Sequence, residues 1–349
     1  MVSSNEKKVL LIGHLGFKKN LFDGQTGKTR NVLELLQLNA EYLKSLDYFD
    51  TQEFRQSKLS FFKLIKKIFR SNVLVYLPER NNLKYLFPFI YIVSKIKGID
   101  ILYLVVGGWL DKFLQSKYLY IAMLSDIKGI FTESNQLTKN LETRYHYKNV
   151  QTIPNFRIHS FSPCFTQNND TLKIVYMARI FREKGIDTVF RLAHNIQNKY
   201  RNNHKIAIDF FGPVQKDVEN YFKEEIQKYS FVSYKGILEP DQIHKTLGKY
   251  DVLVLPSRYS EEGFPGTIMD AYISGIPVII SRWRFLPEYV DDGYSGFIYD
   301  LDRETEFYHY VDYLYNDKSQ LLKMKHCAHE KSKEYSSEVA WQLMKIYLC

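Results

Sequence analysis

The chain has 349 residues, 45% apolar and 25% charged, and carries a formal net charge of +9. That length favours two domains over one core, and the composition is that of a folded globular protein rather than a disordered one. Three widely spaced cysteines, Cys164, Cys327 and Cys349, form neither a disulfide framework nor a metal-ligand spacing, which fits a reducing compartment.

The charge is lopsided. Residues 1–150 hold about 23 Lys/Arg against about 13 Asp/Glu, and the rest is near neutral. A basic half suits an acidic lipid surface, a polyanion or phosphorylated substrates. No signal peptide is expected, because the N-terminus runs directly into a strand-like segment at 8–13. The longest apolar stretch, residues 85–93, is too short to span a bilayer.

In chain order, strands are expected at 8–13, 49–53, 73–77, 100–106, 127–132 and 150–153, with helices at about 27–45, 59–70, 82–97, 110–124 and 135–145. A polar stretch at 162–171 reads as a linker. A second series follows, with strands at 172–178, 205–211, 231–235, 251–255, 277–281 and 296–299, and helices at about 186–199, 216–228, 240–248 and 267–274. A long polar helix over about 317–349 breaks near Ser336-Ser337. This alternation predicts an α/β protein with two parallel, doubly wound sheets. Residues 1–165 and 166–334 form the two domains, and the helix over about 335–349 packs back on the first.

Two segments of the second series carry chemistry. Arg179 stands at the carboxyl end of an apolar strand, and Lys184 stands just ahead of a helix. Cations are disfavoured at a helix start unless an anion joins them. The plain alternative is two solvated cations, or an ion pair with Glu183. Downstream, Glu262 lies in a loop with Gly263 and Gly266, and Asp270 lies in the first turns of the helix that follows. The plain alternatives are a capping role for Asp270 through Thr267-x-x-Asp270, and a solvated Glu261-Glu262 pair. Together the four groups sit at carboxyl edges of strands in one sheet, where such sheets bind ligands. Cations there would hold a diphosphate, carboxylates would accept hydrogen bonds from hydroxyls, and helix amides would face an anion.

Arg179 with Lys184-Gly185, Pro256-Ser257, Glu262-Gly263-Phe264-Pro265, Asp270 and Ser274-Gly275-Ile276-Pro277-Val278 resemble, in order and spacing over about 172–300, the donor half of the GT-B retaining glycosyltransferases of family 4, glycosyl transferases group 1. The first half is similar more loosely, through Gly13 to Gly16, Gly24-Gln25, Gly107-Gly108-Trp109 and Ile153-Pro154-Asn155, to members that build bacterial surface polysaccharides.

The resemblance implies a GT-B fold, two Rossmann-like domains facing across a cleft. It implies a metal-independent, hexosyltransferase-type enzyme that moves a sugar with retention from a nucleotide-diphosphate sugar to a glycan or polyprenyl-linked acceptor. By the same resemblance Arg179 and Lys184 bind the diphosphate and Glu262 lies by the transferred sugar. Gly263, Phe264, Pro265, Gly266 and Thr267 contact sugar and phosphate, and Asp270 holds the ribose. Ile237 touches the base, and Gly16 approaches the diphosphate from the first domain. No cofactor is implied beyond the donor substrate.

Two departures stand out. Asp270 replaces the usual second glutamate. Gly107-Gly108-Trp109 follows the strand after which many members carry a histidine, with Asp111 as a weak substitute. Alternatives are a GT-B nucleotide-sugar epimerase, or a non-catalytic sugar-nucleotide-binding or assembly protein at the membrane.

Other signals are weaker. Gly24 to Thr29 imitates a phosphate loop, but Phe22 stands where the motif needs glycine. Asp291, Asp292, Asp300 and Asp302 read as solvated turns rather than metal ligands. His14 reads as a structural histidine by default, the alternative being a place near the cleft. Residues 61–70 form a basic amphipathic segment, either core-packed with a solvated face or a membrane-surface contact. Nucleic acid is not expected. The expected location is cytoplasmic, peripheral at the inner membrane face.

Overall fold

A computed structural model describes residues 7–17, 24–55, 57, 59–165, 170–201 and 205–348. The chain divides into two compact units, Met1–Ile158 with Tyr335–Cys349, and His159–Glu334. Each is built on one six-stranded sheet.

In unit 1 the strands are β1 (Lys8–Gly13), β2 (Ser45–Asp50), β3 (Val73–Leu77), β4 (Asp100–Leu104), β5 (Gly129–Thr132) and β6 (Val150–Thr152). They lie in the order β2-β1-β3-β4-β5-β6, with every pairing parallel. The helices are α1 (Gly24–Leu38), α2 (Ser60–Ile68), α3 (Arg80–Tyr85), α4 (Phe87–Lys97), α5 (Leu110–Leu114), α6 (Tyr118–Ser125) and α7 (Asn135–Tyr145). Strand β3, Val-Leu-Val-Tyr-Leu, is buried at every position, as a parallel strand covered on both faces must be.

Unit 2 holds β7 (Leu172–Met177), β8 (Ile206–Phe211), β9 (Val232–Tyr234), β10 (Val252–Leu255), β11 (Val278–Ser281) and β12 (Gly296–Tyr299). Its order is β12-β11-β10-β7-β8-β9, again all parallel. The helices are α8 (Ile186–Tyr200), α9 (Glu219–Gln227), α10 (Ile243–Leu247), α11 (Gly266–Ile273), α12 (Glu304–Asn316) and α13 (Lys318–Ser332). On α8, Ile186, Val189, Phe190, Ala193 and Ile196 recur at helical spacing and are buried in the unit 2 core. A last helix, α14 (Ser337–Leu348), returns to unit 1 and lends Ala340, Trp341, Met344 and Leu348 to its core.

Each strand order reverses once. The reversal falls between β1 and β3 in unit 1, and between β7 and β10 in unit 2. At such a point the loops leaving the two strands diverge and open a crevice at the carboxyl edge.

The structure corrects several element boundaries. β2 precedes the expected segment, and residues 51–55 form a short 3-10 turn. α1 starts at Gly24 and stops at Leu38, earlier than expected at both ends. The helix expected at 82–97 is two helices, with Pro88 in the first turn of the second. The one expected at 110–124 is also two, broken at Ser116, whose φ is +61°. The helix over about 317–349 does break near Ser336-Ser337 as expected, a 3-10 turn separating α13 from α14. α12 lies where the sequence pattern predicts no helix.

Candidate functional site

β7 leads into the turn that carries Arg179 and Lys184, and β10 leads into the loop that carries Glu262. The two loops therefore leave the sheet on either side of its reversal point. Gly185 fastens them together. Its φ is +85°, and a Cβ there would meet the Pro256 carbonyl oxygen at 2.1 Å. Only glycine permits that approach. Arg258 N–H donates to the Glu183 carbonyl at 2.7 Å and closes the same junction.

This clamp buries an ion pair. Lys184 Nζ lies 2.7 Å from both carboxylate oxygens of Glu262, with the two side chains 11% and 6% exposed. The Ser257 hydroxyl donates to Glu262 Oε2 at 2.5 Å. Tyr176, buried in β7, donates its hydroxyl to the carbonyls of Arg179 (3.1 Å) and Lys184 (3.3 Å) and so holds the turn's backbone. Burial first, and the Glu262 charge second, push the Tyr176 hydroxyl well above the ordinary tyrosine range, so it stays a donor.

Arg179 is exposed. Its guanidinium lies 5.3 Å from the ring centroid of Phe181 and 5.7 Å from that of Tyr259. Lys184 Nζ lies 5.5 Å from the Tyr259 ring. Trp283 Nε1–H donates to the Tyr259 carbonyl at 2.8 Å. One tyrosine thus touches both cations.

The loop from Glu262 runs into α11. Phe264 stacks on Tyr289 with ring centroids 3.9 Å apart. Pro265 is the N-cap residue, and Gly266 and Thr267 form the first turn. Thr267 Oγ1 is buried without a hydrogen-bond partner, an uncommon condition for a hydroxyl. Asp270 lies further along α11, 3% exposed. Its Oδ1 is 3.3 Å from His244 Nε2 of α10. His244 in turn lies edge-on to His159, with ring centroids 5.5 Å apart, and 5.9 Å from Phe161. Desolvation, and then the neighbouring His244, hold the His159 pKa below the ordinary range.

Lys184, Glu262 and Arg179 therefore meet around Tyr259, with Gly263 to Thr267 continuing into α11. Lys184 pairs with Glu262 rather than with Glu183 as the plain alternative had it. Asp270 engages a histidine that carried no sequence signal. Gly236 has φ +82° and its carbonyl accepts from Gly212 N–H at 2.9 Å, while Ile237 beside it is 61% exposed.

In unit 1, Gly16 has φ +64°, and Arg30 fixes it by donating to the carbonyls of Leu15 (2.7 Å) and Gly16 (3.0 Å). Lys28 of the phosphate-loop imitation is withdrawn from any phosphate. It is 2% exposed and pairs with Glu133 at 2.8 Å. Glu133 also accepts from Gly107 N–H at 3.0 Å. Asp111 is committed to Arg144 at 2.8 Å and to the Tyr145 hydroxyl. Phe22 lies outside the described residues. Among the turn aspartates, Asp291 pairs with Lys331, Asp300 with Arg282, and Asp292 accepts from Ile298 N–H. Among the described residues no group of three or more His, Cys, Asp or Glu gathers as metal ligands would.

Comparison with known proteins agrees with this architecture. Residues 162–333 match the family described as Glycosyl transferases group 1. An uncharacterized 41.2 kDa protein in the cps region of Klebsiella pneumoniae is 24% identical over 155 residues, 43% of this chain and 40% of that protein. The capsular polysaccharide biosynthesis glycosyltransferase CapM of Staphylococcus aureus is 23% identical over 175 residues, 50% of this chain and 45% of that protein. The matches thus span less than half the length of these relatives. The crystal structure of Anabaena HepE in complex with UDP-glucose superposes with a TM-score of 0.72 over 98% of this chain and 99% of that one, at 13% identity, a likeness of fold. The domain at residues 162–333 thus belongs to the glycosyl transferases group 1 family, and the chain has the GT-B fold.

Proposed function

We propose that the chain transfers a sugar, with retention, from a nucleotide-diphosphate sugar to a glycan or polyprenyl-linked acceptor in surface polysaccharide synthesis. The observation that carries this reading is the Lys184–Glu262 pair, buried beside Arg179 at the strand-order reversal of unit 2 and next to the start of α11. A binding protein for neutral ligands has no need of a cation just ahead of a helix start with a second in the same turn.

Arg179, Lys184 and the first amides of α11 hold the donor diphosphate and stabilise the charge that grows on it as the anomeric C–O bond breaks. The acceptor oxygen bonds to the anomeric carbon from the same face, and its proton passes to the departing phosphate oxygen. Glu262 keeps a positioning role. When the diphosphate takes the charge of Lys184, the Glu262 carboxylate turns from ammonium to sugar hydroxyls, while Ser257 still donates to it. On this reading Lys184 Nζ takes the phosphate and Glu262 takes the hydroxyls. Thr267 Oγ1 supplies a further hydroxyl for sugar or phosphate, Asp270 holds the ribose and Ile237 lies against the base. The CapM and cps-region relatives support the polysaccharide setting, and the HepE complex supports a UDP-sugar as the first donor to try.

No helix among the described residues is long and apolar enough to cross a membrane. The reading places the protein at the cytoplasmic membrane surface through unit 1. There Phe62, Tyr85, Ile96 and Tyr118 are exposed on helices that touch one another, as is Phe69 at the C-cap of α2, among lysines such as Lys97, which lies over the Phe69 ring.

A thermal-shift panel of nucleotide sugars tests the donor, since a ligand at 100-fold its Kd stabilises by about 2.7 kcal/mol. Turnover of the stabilising donor with a lipid-linked or glycan acceptor is expected. Stabilisation without turnover favours the non-catalytic binding protein, and no stabilisation by any nucleotide sugar ends the proposal.

A further inference from the structure

The carboxyl edge of the unit 1 sheet holds a polar pair that the donor site does not use. His14 follows β1 and Glu79 follows β3, the two strands that flank the reversal of strand order. That is where an open α/β sheet forms its ligand crevice. His14 Nδ1 lies 2.5 Å from Glu79 Oε1. Glu79 is also the N-cap residue of α3, yet its side chain makes no cap hydrogen bond. Its carboxylate goes to the imidazole instead.

A carboxylate at Nδ1 selects the tautomer whose proton is on Nδ1. Nε2 is then left with a lone pair. His14 is 6% exposed, and its Nε2 is buried without a hydrogen-bond partner. Buried polar atoms in folded proteins are nearly always paired, so an unpaired one calls for a partner that the chain itself does not supply. The Glu79 side chain is 36% exposed, which puts the pair at the rim of the unit rather than in its core. A lone pair on a neutral imidazole requires a donor, and sugar hydroxyls are donors.

We propose that His14 and Glu79 form a sugar-hydroxyl subsite of unit 1. His14 Nε2 accepts a hydrogen bond from a hydroxyl of the acceptor glycan, and Glu79 is the positioning residue that keeps the lone pair on Nε2. The subsite rests on the glycosyltransferase reading for its substrate class, while its geometry stands on unit 1 alone.

The test uses the whole chain labelled with 15N-histidine. Long-range proton–nitrogen spectra report which ring nitrogen carries the proton, and loss of the signals in His14→Gln assigns them. The expected result is an Nδ1–H tautomer that Glu79→Leu abolishes and Glu79→Asp retains. Methyl β-glucoside, methyl β-galactoside and methyl N-acetyl-β-glucosaminide are the probes, and at least one is expected to move the Nε2 resonance by several parts per million. In transfer assays with the same glycosides, His14→Gln should raise the acceptor KM tenfold or more, with nucleoside diphosphate binding unchanged. A proton on Nε2 overturns the proposal. So does an Nε2 signal unmoved by every glycoside, as a permanently bound water would leave it, and so does a wild-type acceptor KM in His14→Gln. The spectra need no donor, so their outcome is separate from whether nucleotide sugars bind.

Discussion

Lys184 and Glu262 are where stability and chemistry share the same atoms. Both side chains are largely withdrawn from water, and removing one partner of a buried pair strands the other charge, at a cost of about 3–5 kcal/mol. Lys184→Met and Glu262→Gln should therefore each lower stability in urea unfolding. The double variant should be less destabilised than the sum of the two, because neither charge is left alone. Additive losses would mean that the pair is not coupled. Activity assays on the single variants are informative only at temperatures where unfolding curves show them folded. Lys184 stands out in the sequence because it precedes a helix start, where the dipole disfavours a cation, and Arg179 because it ends an apolar strand in the same turn. Their partners do not. Lys184 and Glu262 are separated by 78 positions, and nothing local ties His14 to Glu79 or His244 to Asp270. Such pairings are set by which strands lie side by side, a property of the assembled sheet.

Among the elements, α12 shows why one helix escaped the sequence reading. Phe307, Val311 and Leu314 are buried at helical spacing, but the tyrosines interleaved with them blur the period. Edge strand β2 lies earlier than its sequence pattern predicts for a related reason. Of its six residues only Phe49 and Asp50 are buried, so alternation is faint. α12 is tied to α8 through Glu304, which accepts from Arg191 and, at 2.9 Å, from the Tyr308 hydroxyl. The Arg191 hydrogen bond holds the Glu304 carboxyl below its ordinary range. A depressed carboxyl stabilises the fold above its unfolded pKa, and that contribution fades as pH falls through the folded value. Wild-type stability should therefore decline with acid from the usual glutamate range downward, and Arg191→Met should lose that part of the slope in pH-dependent urea titrations. An unchanged slope would rule the pair out as a source of acid sensitivity.

The helices α2, α3, α4 and α6 make a separate prediction. Each lysine near an anionic bilayer contributes about 1 kcal/mol, so Lys66→Gln with Lys97→Gln should weaken vesicle partitioning roughly tenfold or more by that figure. Phe62→Glu should weaken it as well, and 0.5 M salt, on the order of a 4 Å screening length, should suppress it. Equal binding to zwitterionic and anionic vesicles would remove the membrane contact from the proposed function.

For the whole molecule, the alternation of strands and helices was enough to read two doubly wound sheets, since parallel strands need helical crossovers. Strand order was not readable, because the same alternation serves several orders. The return of the last helix has a measurable side. Trp341 is 5% exposed in the unit 1 core, and truncating a buried aromatic costs about 3–5 kcal/mol. Trp341→Ala should lower the unfolding transition assigned to unit 1 in calorimetry and spare that of unit 2. A matched fall in both would show that the units unfold as one. The order of synthesis follows from the same topology. Domains commonly fold in turn from the N-terminus as they leave the ribosome, yet here the stretch that seals the earlier unit is translated after the whole of the later one. The first-made half must wait, its hydrophobic groove uncovered, while its successor is already complete, so chaperone demand during translation should fall on the front of this chain.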